Sequence, residues 1–394
     1  EMVLGHLSGQ GPVAGGFAVL EAGFARRDFG AQDFYAPYPS FEKTRTYTSS
    51  LRWVLGGLNL GGSYRSHDDE FTLLRDDPSV FQNQHTSTQA GFDVMMRSGA
   101  GEGLEIAVGG ELYQDKIESN NLGDRAETRW AFYGEAVLGR GGPAALTVGL
   151  REDRHEGFGT FISPSVSASY SLLRTVRFRG AVGRSFRAPT WTERYYVDPV
   201  NIGTEDLEPE QAWSVEAGAD LLTGPFRRLS VTGFVRTAKD LIDWARPLGA
   251  AEDVPWETRN VEEAKFRGVE VDLTVGGPLD TRLSLGGLLL SLDSEEEAGY
   301  RSKYALRPLT EQVTVALGRT FWDALSLNLN AQRGKRNGED AYHQVDLRTG
   351  YNFGPATVYL DAANLLDADY PDVTGAPAPG RAFYVGLETG AGSH

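Results

Sequence analysis

Thr175-Val-Arg-Phe-Arg-Gly-Ala-Val-Gly-Arg-Ser185 sets Val176, Phe178, Gly180 and Val182 on one face of an extended chain. Arg177 and Arg179 fall on the other, because successive side chains of a strand point to opposite sides. Beyond Phe186-Arg-Ala-Pro-Thr190, a polar segment through Asn201-Ile-Gly-Thr-Glu-Asp-Leu-Glu-Pro-Glu210 reads as a loop. A second alternating run follows, with Trp213, Val215, Ala217, Ala219 and Leu221 opposed to Ser214, Glu216 and Asp220. Two strands that are apolar on one side and charged on the other are what a wall between lipid and water requires.

The same alternation extends in both directions. Leu229, Val231 and Val235 oppose Ser230, Thr232 and Arg236, and Val269, Val271, Leu273 and Val275 oppose Glu270, Asp272 and Thr274. Leu325, Leu327 and Leu329 are set against Ser326, Asn328 and Asn330. Upstream, strands are predicted over 16–26, 44–54, 58–66, 88–97, 104–117, 125–138 and 144–154. The chain divides into about eighteen strands of about ten residues, the length that crosses a bilayer at a tilt. Short links such as Gly56-Gly57 and 276–280 alternate with loops predicted at 28–41, 67–84 and 245–257. Outer-membrane barrels distribute their connections in this one-sided way. An antiparallel sandwich with one wet face would alternate similarly but uses far fewer strands. No internal repeat of propeller length is present.

Composition narrows the classes further. The 394 residues carry a formal net charge of −16, which argues against a nucleic-acid partner. No cysteine is present, so disulfide frameworks and thiolate metal sites are excluded. No apolar run is long enough for a transmembrane helix. The chain opens at Glu1 without a charged-then-apolar leader, so a signal peptide is expected to have been removed or left out.

Several short pieces point to a family. They are Ser185-Phe-Arg-Ala-Pro-Thr-Trp-Thr-Glu193, Leu207-Glu-Pro-Glu210, Asp240-Leu-Ile-Asp-Trp244, and Asn260-Val261 with Ala264 and Gly268-Val-Glu270. Arg307-Pro308, Asn364-Leu-Leu-Asp-Ala-Asp-Tyr370, and Phe34-Tyr-Ala-Pro-Tyr-Pro-Ser40 ahead of Thr44-Arg-Thr46 complete the set. In this order the pieces resemble the barrel of TonB-dependent outer-membrane receptors. The resemblance implies an all-β fold, with residues 1–394 as a transmembrane antiparallel β-barrel domain. About eighteen strands are visible of the roughly 22 that such plugged transporters use. The N-terminal plug is absent from the sequence or carried on sequence outside it. The implied function is outer-membrane uptake of a scarce ligand: an iron–siderophore, haem, cobalamin or glycan. Extracellular loops and plug would bind it, TonB would supply the energy through the plug, and outer-membrane lipid would surround the barrel. A plugless passive channel is the alternative reading, and a hydrolase at the barrel rim a third.

Candidate site residues are few. The loop aromatics Phe34, Tyr35, Tyr38, Trp191, Tyr195 and Tyr196 are candidates for ligand contact, whereas Trp130, Tyr133, Trp213, Tyr359 and other aromatics near strand ends suit an interfacial girdle. Asp198, Glu205, Asp206 and Glu208 could offer oxygen ligands to a Ca²⁺ ion, but their spacing matches no EF-hand and solvated loop charge is the preferred explanation. No other cofactor is expected. Arg151-Glu-Asp-Arg-His-Glu156 is the densest polar cluster, and Asp153 with His155 would be the pair of a rim hydrolase. A solvated strand end accounts for it as well. No HExxH, GxSxG or P-loop occurs, so no enzyme activity is expected.

Overall fold

A computed structural model describes residues 1–32, 38–99, 103–224, 227–251, 253–278, 280–295, 299–370 and 378–389. The first ten strands are β1 (Met2–Val13), β2 (Gly16–Gly30), β3 (Phe41–Leu55), β4 (Leu58–Thr72), β5 (Gln82–Gly99), β6 (Leu104–Ser119), β7 (Arg125–Leu138), β8 (Ala144–His155), β9 (Gly159–Leu172) and β10 (Val176–Arg187). One short helix, α1 (Trp191–Tyr195), and a two-residue strand, β11 (Asn201–Ile202), interrupt the next connection. Then come β12 (Glu210–Leu222), β13 (Arg227–Pro247), β14 (Trp256–Gly276), β15 (Arg282–Glu295), the three-residue β16 (Tyr300–Ser302) and β17 (Leu309–Phe321). The last four are β18 (Leu325–Arg336), β19 (Tyr342–Asn352), β20 (Ala356–Ala363) and β21 (Ala382–Thr389). Among the described residues no helix is long and apolar enough to cross a membrane, which bears on helices alone.

Apart from β11 and β16, each strand pairs antiparallel with the next, in one meander from β1 to β21. Its register sorts side chains by solvent. Leu221, Leu229, Leu273, Leu285, Val315, Ala331 and Val345 form one row across β12 to β19. One residue along, Asp220, Ser230, Asp272, Gly286, Thr314, Gln332 and Gln344 form the adjacent row on the opposite face. The apolar face lies open: Phe132 is 64% and Leu289 66% exposed. Such a surface is stable only against lipid.

On the polar face, aromatic rings lie across glycines of the neighbouring strand. Tyr113 faces Gly91, Tyr133 faces Gly109, Phe234 faces Gly268, Tyr342 faces Gly334, and Tyr359 faces Gly386. A Cβ at any of these glycines would collide with the ring opposite. Tyr133 and Tyr359 are therefore inward residues and not part of an outer girdle.

Several strands run longer than predicted. Half of the segment 67–84 is strand, leaving 73–81 as the loop, and the strands flanking the predicted 245–257 loop reach Pro247 and Trp256. β13 and β14 each reach 21 residues. Past the lipid both faces meet water, so the apolar alternation fades while the hydrogen-bond ladder continues. The N-terminal β1 was not predicted at all. A small buried core lies at the long-loop end, where Ala212, Ala238, Leu241, Ala264 and Leu306 pack together with Val261, Phe266 and Leu292.

Candidate functional site

The connection 188–209 is a built strap. Thr190 caps α1: its hydroxyl accepts the Glu193 amide at 3.2 Å, and the Glu193 carboxylate accepts the Thr190 amide at 2.7 Å. This reciprocal box satisfies two helix-end amides at once. Arg187 donates to Glu193 at 2.9 and 3.0 Å and to Glu210 at 3.0 and 2.5 Å, tying the strap's entry to its exit. Charge-assisted forked contacts of this kind are among the stronger hydrogen bonds. The fully buried Thr258 of β14 donates to the Glu193 carbonyl and accepts the Thr204 amide, both at 2.7 Å. Asn260 accepts the Glu208 amide at 2.9 Å and donates to the carbonyls of Glu208 and Asp240 at 2.8 and 2.7 Å. β11 also pairs in parallel with Trp256 and Glu257 of β14.

The strap's other margin reaches strands far along the meander. Asn83 of β5 donates to the Tyr196 hydroxyl at 3.2 Å. Asn121, between β6 and β7, donates to the Val197 carbonyl at 2.6 Å and accepts its amide at 3.1 Å. Arg194 meets Glu127 of β7 at 3.4 Å, and the Arg125 guanidinium lies 3.1 Å from the Tyr195 ring centre. Bonds to β5–β7 on one side and to β14 on the other make the strap a chord across the concave, polar side of the sheet.

A second loop joins it. Asp243, 3% exposed, accepts the Ala305 amide at 2.9 Å, the Trp244 amide at 2.8 Å and the Ser302 hydroxyl. Lys303 then donates to Asn201 Oδ1 at 3.3 Å and sits 5.5 Å over the Trp256 ring. Burial pushes this ammonium below the ordinary lysine value, against the opposing pull of Asp198 and Asp243. Asn364 closes a third loop by a two-way bond with Ala368, at 2.9 Å in each direction.

Beneath the strap the wall is densely charged. Arg151 meets Glu111 and Asp153, each at 2.9 Å, Arg129 meets Asp115 at 2.9 Å, and His155 Nε2 lies 3.6 Å from Glu127. A cavity of about 270 Å³ opens there, lined in part by Tyr113, Arg129, His155 and Arg187. Alternating donors and acceptors facing water suit the capture of a polar small molecule. Asp153 is engaged by Arg151, and His155 by Glu127. The geometry gives these two residues no mutual contact of the kind proton transfer needs.

Trp191, Tyr195 and Tyr196 all sit on the strap. Tyr38 is 46% exposed on the separate β2–β3 connection, while Phe34 and Tyr35 lie outside the described residues. Asp198 accepts the amides of Val200 and Asn201 at 2.7 and 2.6 Å, Glu205 accepts the Tyr195 hydroxyl at 3.4 Å, and Asp206 and Glu208 are exposed. Among the described residues, no group of three or more His, Cys, Asp or Glu side chains is arranged to hold a metal ion. Sequence reasoning missed Asn83, Asn121, Arg125, Glu127, Arg194 and Lys303. Each is a polar residue at a strand end or in a loop, and only long-range closure distinguishes it from solvated charge.

Residues 7–365 match the family described as TonB dependent receptor-like, beta-barrel. Among curated proteins, the chain is similar to the vitamin B12 transporter BtuB of Photobacterium profundum, 27% identical over 286 residues, covering 68% of this chain and 44% of that one. BtuB of Vibrio vulnificus is 25% identical over 241 residues, covering 60% and 37%. The matched region thus spans less than half the length of these relatives. Among solved structures, the siderophore receptor PirA of Pseudomonas aeruginosa superposes with a TM-score of 0.73 at 19% identity, covering 98% of this chain and 70% of that one. A copper transporter, OprC, superposes at 0.78 with 14% identity and coverage of 98% and 72%. At these identities the structures establish the shared fold alone.

Proposed function

Since the chain belongs to the TonB-dependent receptor-like β-barrel family, we propose that it is the barrel of an outer-membrane receptor for a scarce metal chelate, imported with energy delivered by TonB. The observation that carries the reading is the strap 188–209, bonded to both sides of a polar, charge-lined mouth. The strap carries Trp191, Tyr195 and Tyr196, and the cavity beneath it is lined by Tyr113, Arg129 and Arg151; in this reading such rings and guanidinium groups grip a large planar or polycyclic ligand. The names of the relatives favour cobalamin first and a ferric siderophore second. TonB acts in this reading on a plug domain filling the barrel.

The test is binding and uptake by the whole receptor in cells lacking their other cobalamin and siderophore receptors. Labelled cyanocobalamin should accumulate, and a protonophore or loss of TonB should abolish accumulation without abolishing surface binding. Tyr195→Ala should weaken binding by about tenfold, the loss of one well-packed aromatic contact. A steady large conductance in planar bilayers, with neither chelate retained, would replace this account with an open channel.

A further inference from the structure

A histidine on the inner face of β5, at its long-loop end, is wired to the margin of the strap. Ser119, the last residue of β6, accepts the Asn121 amide at 3.1 Å and the Leu122 amide at 2.8 Å on its hydroxyl oxygen. A hydroxyl has two lone pairs and one hydrogen, so both of its acceptor positions are filled. Its third contact, with His85 Nδ1 at 2.7 Å, is then one in which the hydroxyl donates. His85 Nδ1 is therefore bare, and the ring proton of neutral His85 sits on Nε2. His67 differs: its Nδ1 lies 2.8 Å from the Thr46 hydroxyl, which has no second bond among the described residues and is free to turn either way.

The turn that Ser119 closes holds the strap. Asn121 bonds Val197 in both directions, at 2.6 and 3.1 Å. Asn83, two residues before His85 on the same face, donates to the Tyr196 hydroxyl at 3.2 Å. Asn120 ties the turn to Gln82 and Gln84 independently, so loss of the Ser119–His85 bond slackens the turn without freeing it. A receiving position lies across the ladder from His85. Its register partner is Asp69 of β4, whose Oδ1 is buried without a hydrogen-bond partner. The other ionisable groups on this inward face are His67 and Arg65 of β4, Glu42 of β3 and Asp115 of β6. Burial holds the His85 imidazole below the ordinary histidine value, against the pull of Asp69, and raises the Asp69 carboxyl.

We propose that His85 is an acid-sensitive latch on the strap: once protonated, its Nδ1 no longer accepts from Ser119, and the imidazolium turns to Asp69, slackening the turn that carries Asn121. Each state has its own partner in the wall, the neutral ring on the Ser119 hydroxyl and the charged ring on the unpaired carboxylate oxygen. The folded ring holds its proton more weakly than an ordinary imidazole of about 6.5. The Ser119 arrangement is therefore fully formed above that value and is lost as pH falls through the lowered one. The device requires only the bonded strap, whichever ligand the mouth takes.

The experiment follows hydrogen exchange of the full receptor in nanodiscs at about pH 7.5 and about pH 5, corrected for the intrinsic effect of pH on exchange. Amides of 119–124 and 195–198 should exchange roughly fivefold faster at the acid pH, the loss of about one hydrogen bond. His85→Gln keeps an oxygen that accepts from Ser119 but gains no proton, and it should remove the acceleration. Asp69→Asn should move the midpoint to lower pH, and Ser119→Ala should give fast exchange at both. Heat-modifiable gel mobility checks the folding of each variant. An acceleration that is absent from the unaltered chain or survives His85→Gln would overturn the proposal. So would one abolished by His155→Gln, since Glu127 and Arg194 give that residue a separate route to the strap. The unaltered chain supplies a test free of any variant's folding: ¹⁵N-histidine spectra at about pH 7.5 should show His85 protonated at Nε2, and protonation at Nδ1 would sink the latch.

Discussion

The two faces of β12–β15 meet different solvents and are held by different forces. Outside, Leu221, Leu229, Leu273 and Leu285 present a row with no packed partner layer in the chain. Inside, Asp220 is 5% exposed and is held by Arg228 at 3.2 Å and Arg179 at 3.6 Å. A soluble sheet would bury its apolar row against a second layer. Here the bilayer takes that place, and the only compact apolar cluster among the described residues sits at the long-loop end, where it supports loops. Stability is therefore divided into a ladder with lipid on one side and a set of loop anchors on the other.

The sharpest test sets neighbouring residues against each other. Val271→Arg should destabilise the wall by roughly 2–4 kcal/mol if it lies near the bilayer midplane, whereas Asp272→Arg, one residue along, should cost well under that. Reversible unfolding in phospholipid vesicles measures both, and equal costs would erase the distinction between the faces.

The loop anchors should fail locally. Arg187→Ala leaves the carboxylates of Glu193 and Glu210 without their guanidinium, a loss of about 1–3 kcal/mol. Hydrogen exchange should accelerate in 188–209 while the strand amides below keep their protection. Acceleration spread through β8–β12 would mean that strap and wall form one cooperative unit.

The smallest effect is one of pH. Because burial lowers the Lys303 pKa in the folded loop, the unfolded loop binds the proton more tightly. Loop stability should then rise with pH between that lowered value and the ordinary lysine value of about 10.4, and level off above it. Protease resistance of 299–308 measured across that window should lose its slope in Lys303→Met.

Alternation revealed most of the wall, because each lipid-crossing segment must repeat apolar and polar at period two. It failed where both faces are wet, as at 67–72 and 82–87, and in β1, where His6, Ser8 and Gln10 share a strand with Leu4 and Leu7. The motifs that carried the family resemblance turn out to be anchors. Arg187, Asn260 and Asn364 bind loops to the rim through hydrogen bonds within the chain. The strap itself was legible as a polar connection between two alternating strands. Its partners Asn121 and Glu127 were not, because the contacts that recruit them span 76 and 67 residues.

The rings that lie across glycines also act as alignment keys. Sliding β7 past β6 by two residues, the smallest shift that preserves inside and outside, would bring Tyr133 from Gly109 onto Ala107 or Glu111. A similar shift would set Tyr113 against Gln89 or Asp93, and Phe234 against Phe266 or Glu270. No neighbouring inward position in these three pairs is a glycine, so each misaligned ladder meets a steric stop. A meander of similar amphipathic strands has many near-equivalent ways to pair. Five keys distributed from β5 to β21 let the growing sheet reject the wrong ones, strand by strand, during assembly.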